Sequence, residues 1–439
     1  MKRTYINEVS KQSGEEVMLE GFAEVIRDQK AVQFLVLRDK TGKVQLVNDR
    51  SINPEVAETI SQLTTESTLK VIGTVVTNDK VKLGGIEIAI KSLEITSQSE
   101  AELPIPVSGP EPSMENGMDY RWLDLRRPEK LLIFKVQTTM EQAMREFWIK
   151  EGYLEIHSPK LLNTASESGA ELFTVENYFG RKAYLAQSPQ FYKQMAMAAG
   201  FEKVFEIGPV FRAEPSFTSR HATEFTSIDM EISWINDHFD VMAEEERWIQ
   251  YAIKRVLEVH GEEIEKLLGV KIDVPDLPFP KVTMIEAQKI VNEAGHKIDA
   301  STKGDLDPEG ERIIGRHFKE KSGHDFVFVT DYPKSVRPFY HMRHEDNPEL
   351  TKSFDLLGHG IEITTGAQRE HRYEILARQA NEKGLSLEPL KFYLDFFKYG
   401  CPPHGGLGFG LTRMLMVLLG KDNVREVTFI YRGPNRLTP

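Results

Sequence analysis

The segment VFEIGPVFRAEPSFTSRHATEFTSIDMEISW, residues 204–234, sets the reading of the whole chain. Residues 204–211 and 226–234 are rich in β-branched and aromatic side chains, and Pro215, Ser216 and Ser219 supply turn formers between them. The segment therefore reads as two antiparallel strands joined by a long loop. In the second strand the two-residue period puts Ser227, Asp229 and Glu231 on one face and Ile228, Met230 and Ile232 on the other, so one face is core and the other polar. Arg212, Glu214, Arg220 and His221 follow the first strand and run along the loop. Two guanidiniums there suit a phosphate-bearing ligand, because the planar fork pairs bidentately with oxyanions and never loses its charge. Phe225 offers a face on which a base can stack. Taken alone, the loop is better explained as a solvated turn with ordinary ion pairs; the remainder of the chain changes that balance.

A chain of 439 residues has room for two or three domains, and 40% hydrophobic with 28% charged residues is the composition of an ordinary globular protein. No apolar run approaches the roughly 18 residues that a membrane helix needs. The start, Met1-Lys2-Arg3-Thr4-Tyr5, leads into no apolar stretch, so no secretory signal is expected. Cys401 is the single cysteine, which excludes an intrachain disulfide and any multi-cysteine zinc site and fits a cytoplasmic protein. A net charge of -12 argues against a uniformly basic nucleic-acid binder but leaves room for a local basic groove.

Toward the N-terminus, residues 17–26, 32–38, 43–48, 68–77 and 86–95 read as five short strands, with a helix over 54–63 between the third and fourth. That is the plan of an OB-fold barrel, an oligonucleotide binder. Residues 97–119 bring Pro104, Pro106, Pro110 and Pro112 close together with little periodicity, the composition of a semi-rigid linker. The expected division is a barrel domain over 1–100, a linker or hinge over 101–127 and a second domain over 128–439. Pro128 is placed as the first residue of a helix whose apolar positions Val136, Met140, Ala143 and Phe147 recur until Gly152, giving a packing face for its own core or for a second subunit.

Further along, residues 154–157 form a short strand and 164–170 a loop of small residues that either closes over a ligand or is plain surface. Residues 183–186 read as a strand and 189–199 as a helix; Lys193 in its first turns is, on pattern alone, a solvated charge. Residues 239–268 form a long amphipathic helix with a structural task only. Helices over 285–294 and 308–319 precede an apolar strand over 326–329. His341 and His344 lack an evident third ligand and read as a surface pair. Residues 352–357 and 360–365 form a hairpin through Gly358-His359, which would put Asp355 directly opposite Glu362, about 4.5–5.5 Å apart at Cβ. A divalent cation would relieve that repulsion; the alternatives are a protonated carboxyl or pairing with an arginine. The segment TTGAQRE, 364–370, ends a strand at Arg369, and GGLGFGLTR, 405–413, runs through Gly410 into an apolar helix with Arg413 in its first turn. No G-x-x-x-x-G-K-[ST] stretch occurs, so an ATP site here is not of the P-loop kind.

The order of these elements resembles a class II aminoacyl-tRNA synthetase over nearly the whole chain. The helix from Pro128 through Pro159 looks like that family's first, dimer-forming motif, FRAE with RHATEF like its second, and GLGFGLTRM like its third. QSPQFYKQ, SIDMEI and TTGAQRE are similar to aspartyl-tRNA synthetases of archaeal and eukaryotic type. The resemblance implies an α+β protein: an N-terminal five-stranded OB-fold barrel that binds the anticodon, and a class II catalytic domain with an antiparallel sheet flanked by helices. It implies a homodimer that uses ATP and Mg²⁺ to attach L-aspartate to tRNA-Asp, with tRNA-Asn left open as a second acceptor. By resemblance Arg212 and Arg413 are the catalytic pair on the ATP phosphates, and Arg220, His221 and Gly410 belong to the same site. Glu214 reads the adenine amino group, and Phe225 with Arg413 sandwiches its ring. Asp355 and Glu362 bind Mg²⁺. Glu171, Gln190 and Asp229 surround the amino acid's ammonium, Lys193 and Arg369 grip its side-chain carboxylate, and Thr365 lies beside them. Phe34, Gln45 and Glu87 match anticodon-reading positions. An asparaginyl-tRNA synthetase and a non-catalytic RNA-binding or regulatory paralogue are the alternatives.

Overall fold

The computed structural model describes residues 1–163, 172–215 and 218–439, in two compact units, Met1–Pro104 and Ile105–Pro439. In the first, alternating buried and exposed residues build β1 (Glu16–Asp28), β2 (Val32–Asp39), β3 (Gly42–Asp49), β4 (Thr68–Thr77) and β5 (Ile86–Ser97), closed in the order β1-β2-β3-β5-β4. Helix α1 (Pro54–Ser61), with proline at its start, falls between β3 and β4. The interior is filled by Leu19, Leu35, Leu46, Val71 and Ile88, all essentially solvent-free. Five strands closed with one helix in that place make an OB-fold.

The second unit starts with two short helices, α2 (Met114–Asp119) and α3 (Arg121–Asp124), where sequence gave only linker. The proline-rich stretch before them is tied to the start of the next helix: Arg127 donates to the carbonyls of Pro106, Gly109 and Pro110, and Lys130 pairs with Glu111 at 2.9 Å. Pro128 opens α4 (Pro128–Lys150), as its fixed φ and missing N–H favour. Strands β6 (Leu154–Glu155), β7 (Leu161–Leu162), β8 (Thr174–Tyr178) and β9 (Arg181–Leu185) and helix α5 (Gln190–Ala198) follow. Next come β10 (Lys203–Phe211), β11 (Glu224–Ser233) and the long α6 (His238–Leu268), then β12 (Lys281–Thr283), α7 (Met284–Glu293), α8 (Pro308–Ser322) and β13 (Phe326–Thr330). The hairpin β14 (Ser353–Gly358) and β15 (Ile361–Gln368), helices α9 (Tyr373–Glu382) and α10 (Leu387–Leu394), strand β16 (His404–Gly410), and helices α11 (Leu411–Leu419) and α12 (Val424–Val427) complete it.

Eight strands form one sheet in the order β12-β13-β14-β15-β16-β11-β10-β6. One face packs on α4, α6 and α11 through Ile228, Met230, Leu407, Phe409, Phe354 and Leu356. Across the other face runs a lateral row fixed by register: Glu206 beside Asp229, Asp229 beside Gly408, Gly408 beside Thr365, Thr365 beside Asp355. The alternation predicted for β11 is present, but its polar face is covered as well: Asp229 and Glu231 are both buried.

The β14–β15 hairpin differs from expectation. Its turn is His359–Gly360, both at positive φ (49° and 74°), the backbone of a two-residue turn that matches strand twist. A bulge between Leu356 and Leu357 inserts an extra residue in β15, so Asp355 pairs with Thr365 and Glu362 with Leu357. The two carboxylates are near neighbours, not a directly opposed pair. Nor do His341 and His344 form a surface pair. His341 is buried, 2% exposed, because residues 340–342 bridge back to the end of β15, and His344 pairs with Asp331 at 2.8 Å.

Candidate functional site

The polar face of the sheet is the floor of a cavity of about 300 Å³. Along β16 the residues on that face are Gly406, Gly408 and Gly410, while Leu407 and Phe409 point into the core. The glycine at 406 is a steric need: a β-carbon there would lie 2.1 Å from Glu231 Oε2. Bare backbone in β16 is what allows Glu231 to lie flat beneath the cavity.

At one end four buried charges interlock. Lys193, reaching down from α5, places Nζ 3.0 Å from Asp229 Oδ1 and 3.3 Å from Glu231 Oε2 and donates to the Leu407 carbonyl at 2.8 Å. Arg369, just past β15, donates from Nε to Glu231 Oε1 at 2.9 Å and from Nη1 to His341 Nε2 at 3.0 Å. Ser227 Oγ donates to the other oxygen of Asp229 at 2.6 Å. Burial opposes the Glu231 charge, yet Arg369 and Lys193 hold its carboxyl below the usual range. Gln190 donates to Gln194 at 2.9 Å, and Gln194 contacts His404, whose pKa burial lowers to about 4. Gln190, Asp229, Thr365 and Arg369 line the cavity; Lys193 lies beneath Asp229, behind the wall. Glu171 and the loop 164–170 lie outside the described residues.

At the other end Arg212, Glu214, Arg220, His221, Phe225, Glu362, Gly410 and Arg413 line the same cavity. The Arg212 guanidinium lies over the Phe225 ring, 5.4 Å from its centroid. Arg220 pairs with Glu311 of α8 at 2.6 Å. Arg413 bonds the Glu362 carboxylate and carbonyl, each at 3.0 Å. Burial, reinforced by the neighbouring Arg413, pushes the His221 pKa down. The residues that define this end come from the β10–β11 loop, β11, β15, β16 and α11, so the Arg212 and Arg220 forks of one loop meet the Arg413 fork from a distant stretch of sequence.

Glu362 lines the cavity, whereas Asp355, the second carboxylate expected to hold a cation, is 4% exposed and lies outside the lining. Asp355 Oδ2 accepts from Arg337 at 2.7 Å, while Oδ1 is buried with no partner among the described residues. Burial, together with Glu362 and Asp305, pushes Asp355 up to about 6 against the pull of Arg337. Burial opposes the Glu362 charge, but Arg413, Arg337 and Arg212 hold it below its usual range. An orphaned carboxylate oxygen beside a second carboxylate is a hard, all-oxygen donor set, which suits a magnesium ion that keeps waters and takes phosphate oxygens. Among the described residues no cluster of three metal-binding side chains occurs, so the remaining ligands would come from substrate and water.

Arg337, Tyr340 and His341 also line the cavity and were not singled out from sequence as site residues. They lie in an irregular segment with no periodicity to reveal burial, and only the presence of Arg before Pro338 was there to be read. In the barrel unit Phe34, Gln45 and Glu87 are half-buried on the outer face of β2, β3 and β5. Gln45 donates to Glu87 at 2.8 Å across the parallel β3–β5 pair.

The profile of the family described as tRNA synthetases class II (D, K and N) matches residues 113–431, and that of the OB-fold nucleic acid binding domain matches 17–96. The chain is similar to an aspartate--tRNA(Asp/Asn) ligase of Methanopyrus kandleri, 44% identical over 444 residues and covering 100% of both chains. It is also similar to an aspartate--tRNA(Asp) ligase of Pyrococcus abyssi, 42% identical over 443 residues with 100% of both covered. Among solved structures it is similar to the asparaginyl-tRNA synthetase of Pyrococcus horikoshii complexed with asparaginyl-adenylate, with TM-score 0.91, 33% identity and 100% of both chains covered. The aspartyl tRNA synthetase of Entamoeba histolytica matches with TM-score 0.88 and 30% identity, over 100% of this chain and 93% of that one.

Proposed function

The chain belongs to the class II tRNA synthetases of the D, K and N group, and on that premise we propose that it joins L-aspartate to tRNA through an aspartyl-adenylate at the expense of ATP. The observation that carries the choice of aspartate is the buried quartet at one end of the cavity. Lys193 and Arg369 are balanced by Asp229 and Glu231. When Asp229 turns its charge to the amino acid's ammonium, Glu231 alone cannot neutralise two cations, and a side-chain carboxylate supplies the missing charge. A neutral amide would leave a buried cation uncompensated.

In the first step the aspartate α-carboxylate attacks the α-phosphorus of ATP, the bond to pyrophosphate breaks, and the mixed anhydride forms. Arg212, Arg220 and Arg413 hold the phosphates, Glu214 takes the adenine amino group, and Phe225 supports the ring; Gly410 lets the chain approach closely. Positioning and charge neutralisation carry this step. Mg²⁺, held by Asp355 and Glu362, would add charge neutralisation at the phosphates. In the second step the terminal ribose hydroxyl of tRNA attacks the activated carbonyl and AMP leaves. Phe34, Gln45 and Glu87 read the anticodon on the barrel, and tRNA-Asp is the acceptor, with tRNA-Asn a second candidate. We assign the protein to the cytoplasm and to a homodimer formed through α4, whose Ile149 is 61% exposed; sedimentation at low concentration tests the dimer. Among the described residues no helix is long and apolar enough to cross a membrane.

Pyrophosphate exchange measured with aspartate and with asparagine tests the reading. Exchange with aspartate at least about tenfold more efficient is expected; a preference for asparagine would overturn it.

A further inference from the structure

We propose that His341 is a positioning residue for amino-acid recognition: as a neutral acceptor it fixes the Arg369 guanidinium against the cavity without cancelling its charge. The inference rests on the reading above only in taking Arg369 to face the amino acid's side chain.

Backbone geometry makes the contact. Residues 340–342 form a bridge with the strand end, His341 opposite Arg369, closed by Met342 N–H to Gln368 O at 3.0 Å and Glu370 N–H to Tyr340 O at 2.9 Å. Gln379 of α9 pins the segment by donating to the carbonyls of Phe339 at 2.6 Å and His341 at 3.1 Å. The imidazole is thus delivered beside Arg369 by main chain, and both side chains line the cavity.

The protonation state follows from the partner. A guanidinium only donates, so His341 Nε2 accepts at 3.0 Å and the ring proton sits on Nδ1. A second proton would set two cations against each other in a buried place that Arg337 and Lys193 also make positive. Burial and these three cations hold the ring neutral. The fork of Arg369 is gripped on one edge by Glu231 and on the other by His341. A carboxylate in place of the imidazole would grip equally well but would neutralise the site. A neutral acceptor keeps orientation and charge together, which is what recognition of an acidic side chain requires.

The test is pyrophosphate exchange with whichever amino acid the unaltered enzyme prefers, so that failure of the aspartate reading is seen separately, in the unaltered enzyme. His341→Ala is expected to raise KM for that amino acid about tenfold or more, with KM for ATP within about twofold and the melting temperature near that of the parent. His341→Gln, whose amide oxygen can accept from Arg369, should recover most of the loss. His341→Glu should raise KM for aspartate more than for asparagine. An unchanged amino-acid KM in His341→Ala, an equal rise in KM for ATP, or failure of the glutamine variant to recover in a folded protein would overturn the proposal.

Discussion

The ammonium of Lys193 lies 3.0 Å from Asp229 and 3.3 Å from Glu231 with only 2% of the side chain exposed, so one cation from α5 bridges two carboxylates on a single strand. Removing it leaves two buried anions to share Arg369. Breaking a buried pair from one side typically costs about 3–5 kcal/mol. Lys193→Met should therefore unfold at markedly lower denaturant and lose aspartate-dependent exchange, whereas replacement of exposed Lys289 should do neither. Equal midpoints for the Lys193 variant and the parent would contradict this picture.

Glu245 of α6 is fully buried behind the sheet, and burial pushes its carboxyl up to about 8, with Asp355 and Glu246 adding to the shift. The Thr364 hydroxyl beside it pulls the other way without reversing the shift. The folded state therefore holds a proton that the unfolded chain, titrating near 4.5, releases. The stability linked to this group is whole below pH 4.5 and is lost as pH rises toward 8. Glu245→Gln removes that dependence. Its melting temperature relative to the parent should climb between pH 5 and 9, and a difference that stays flat would count against a protonated Glu245.

Arg337 is the counter-charge that keeps Asp355 near 6 when burial and Glu362 drive it upward. Substitution by glutamine withdraws the cation, so the Asp355 pKa moves higher still. If ionised Asp355 helps hold Mg²⁺, the acid limb of the exchange rate should shift to higher pH and the Mg²⁺ concentration for half-maximal rate should rise. A pH profile superimposable on the parent's would separate Asp355 from the reaction.

Phe34 belongs to the barrel, so its loss should touch tRNA and leave adenylate formation alone. Base–aromatic stacking is worth about 1–3 kcal/mol, which corresponds to a rise in KM for tRNA of roughly five- to 150-fold in Phe34→Ala. Pyrophosphate exchange should be unchanged. A fall in exchange would mean that the side chain serves the fold.

The barrel and the β10–β11 hairpin were legible because alternation and turn formers are local signals, and the three arginine-bearing motifs, local as well, picked out residues that line one end of the cavity. What the sequence hid was tertiary. A bulge in β15 leaves no mark on composition, and it moved Asp355 from Glu362 to Thr365. Lys193 looks like any helix-surface lysine until two carboxylates from β11 arrive beneath it. His341 sits in a segment without period, and only its bridge to Arg369 reveals that it is interior.

The bald stretch of Gly408 and Gly410 leaves one side of the chamber made of main chain, and at neighbouring Gly406 even a methyl group collides with Glu231. On the proposed reading, retargeting toward another amino acid falls to side chains of the lining, among them Tyr340, His341 and Arg369. An inhibitor that leans on the bald stretch would press on a surface that mutation can crowd but not recontour.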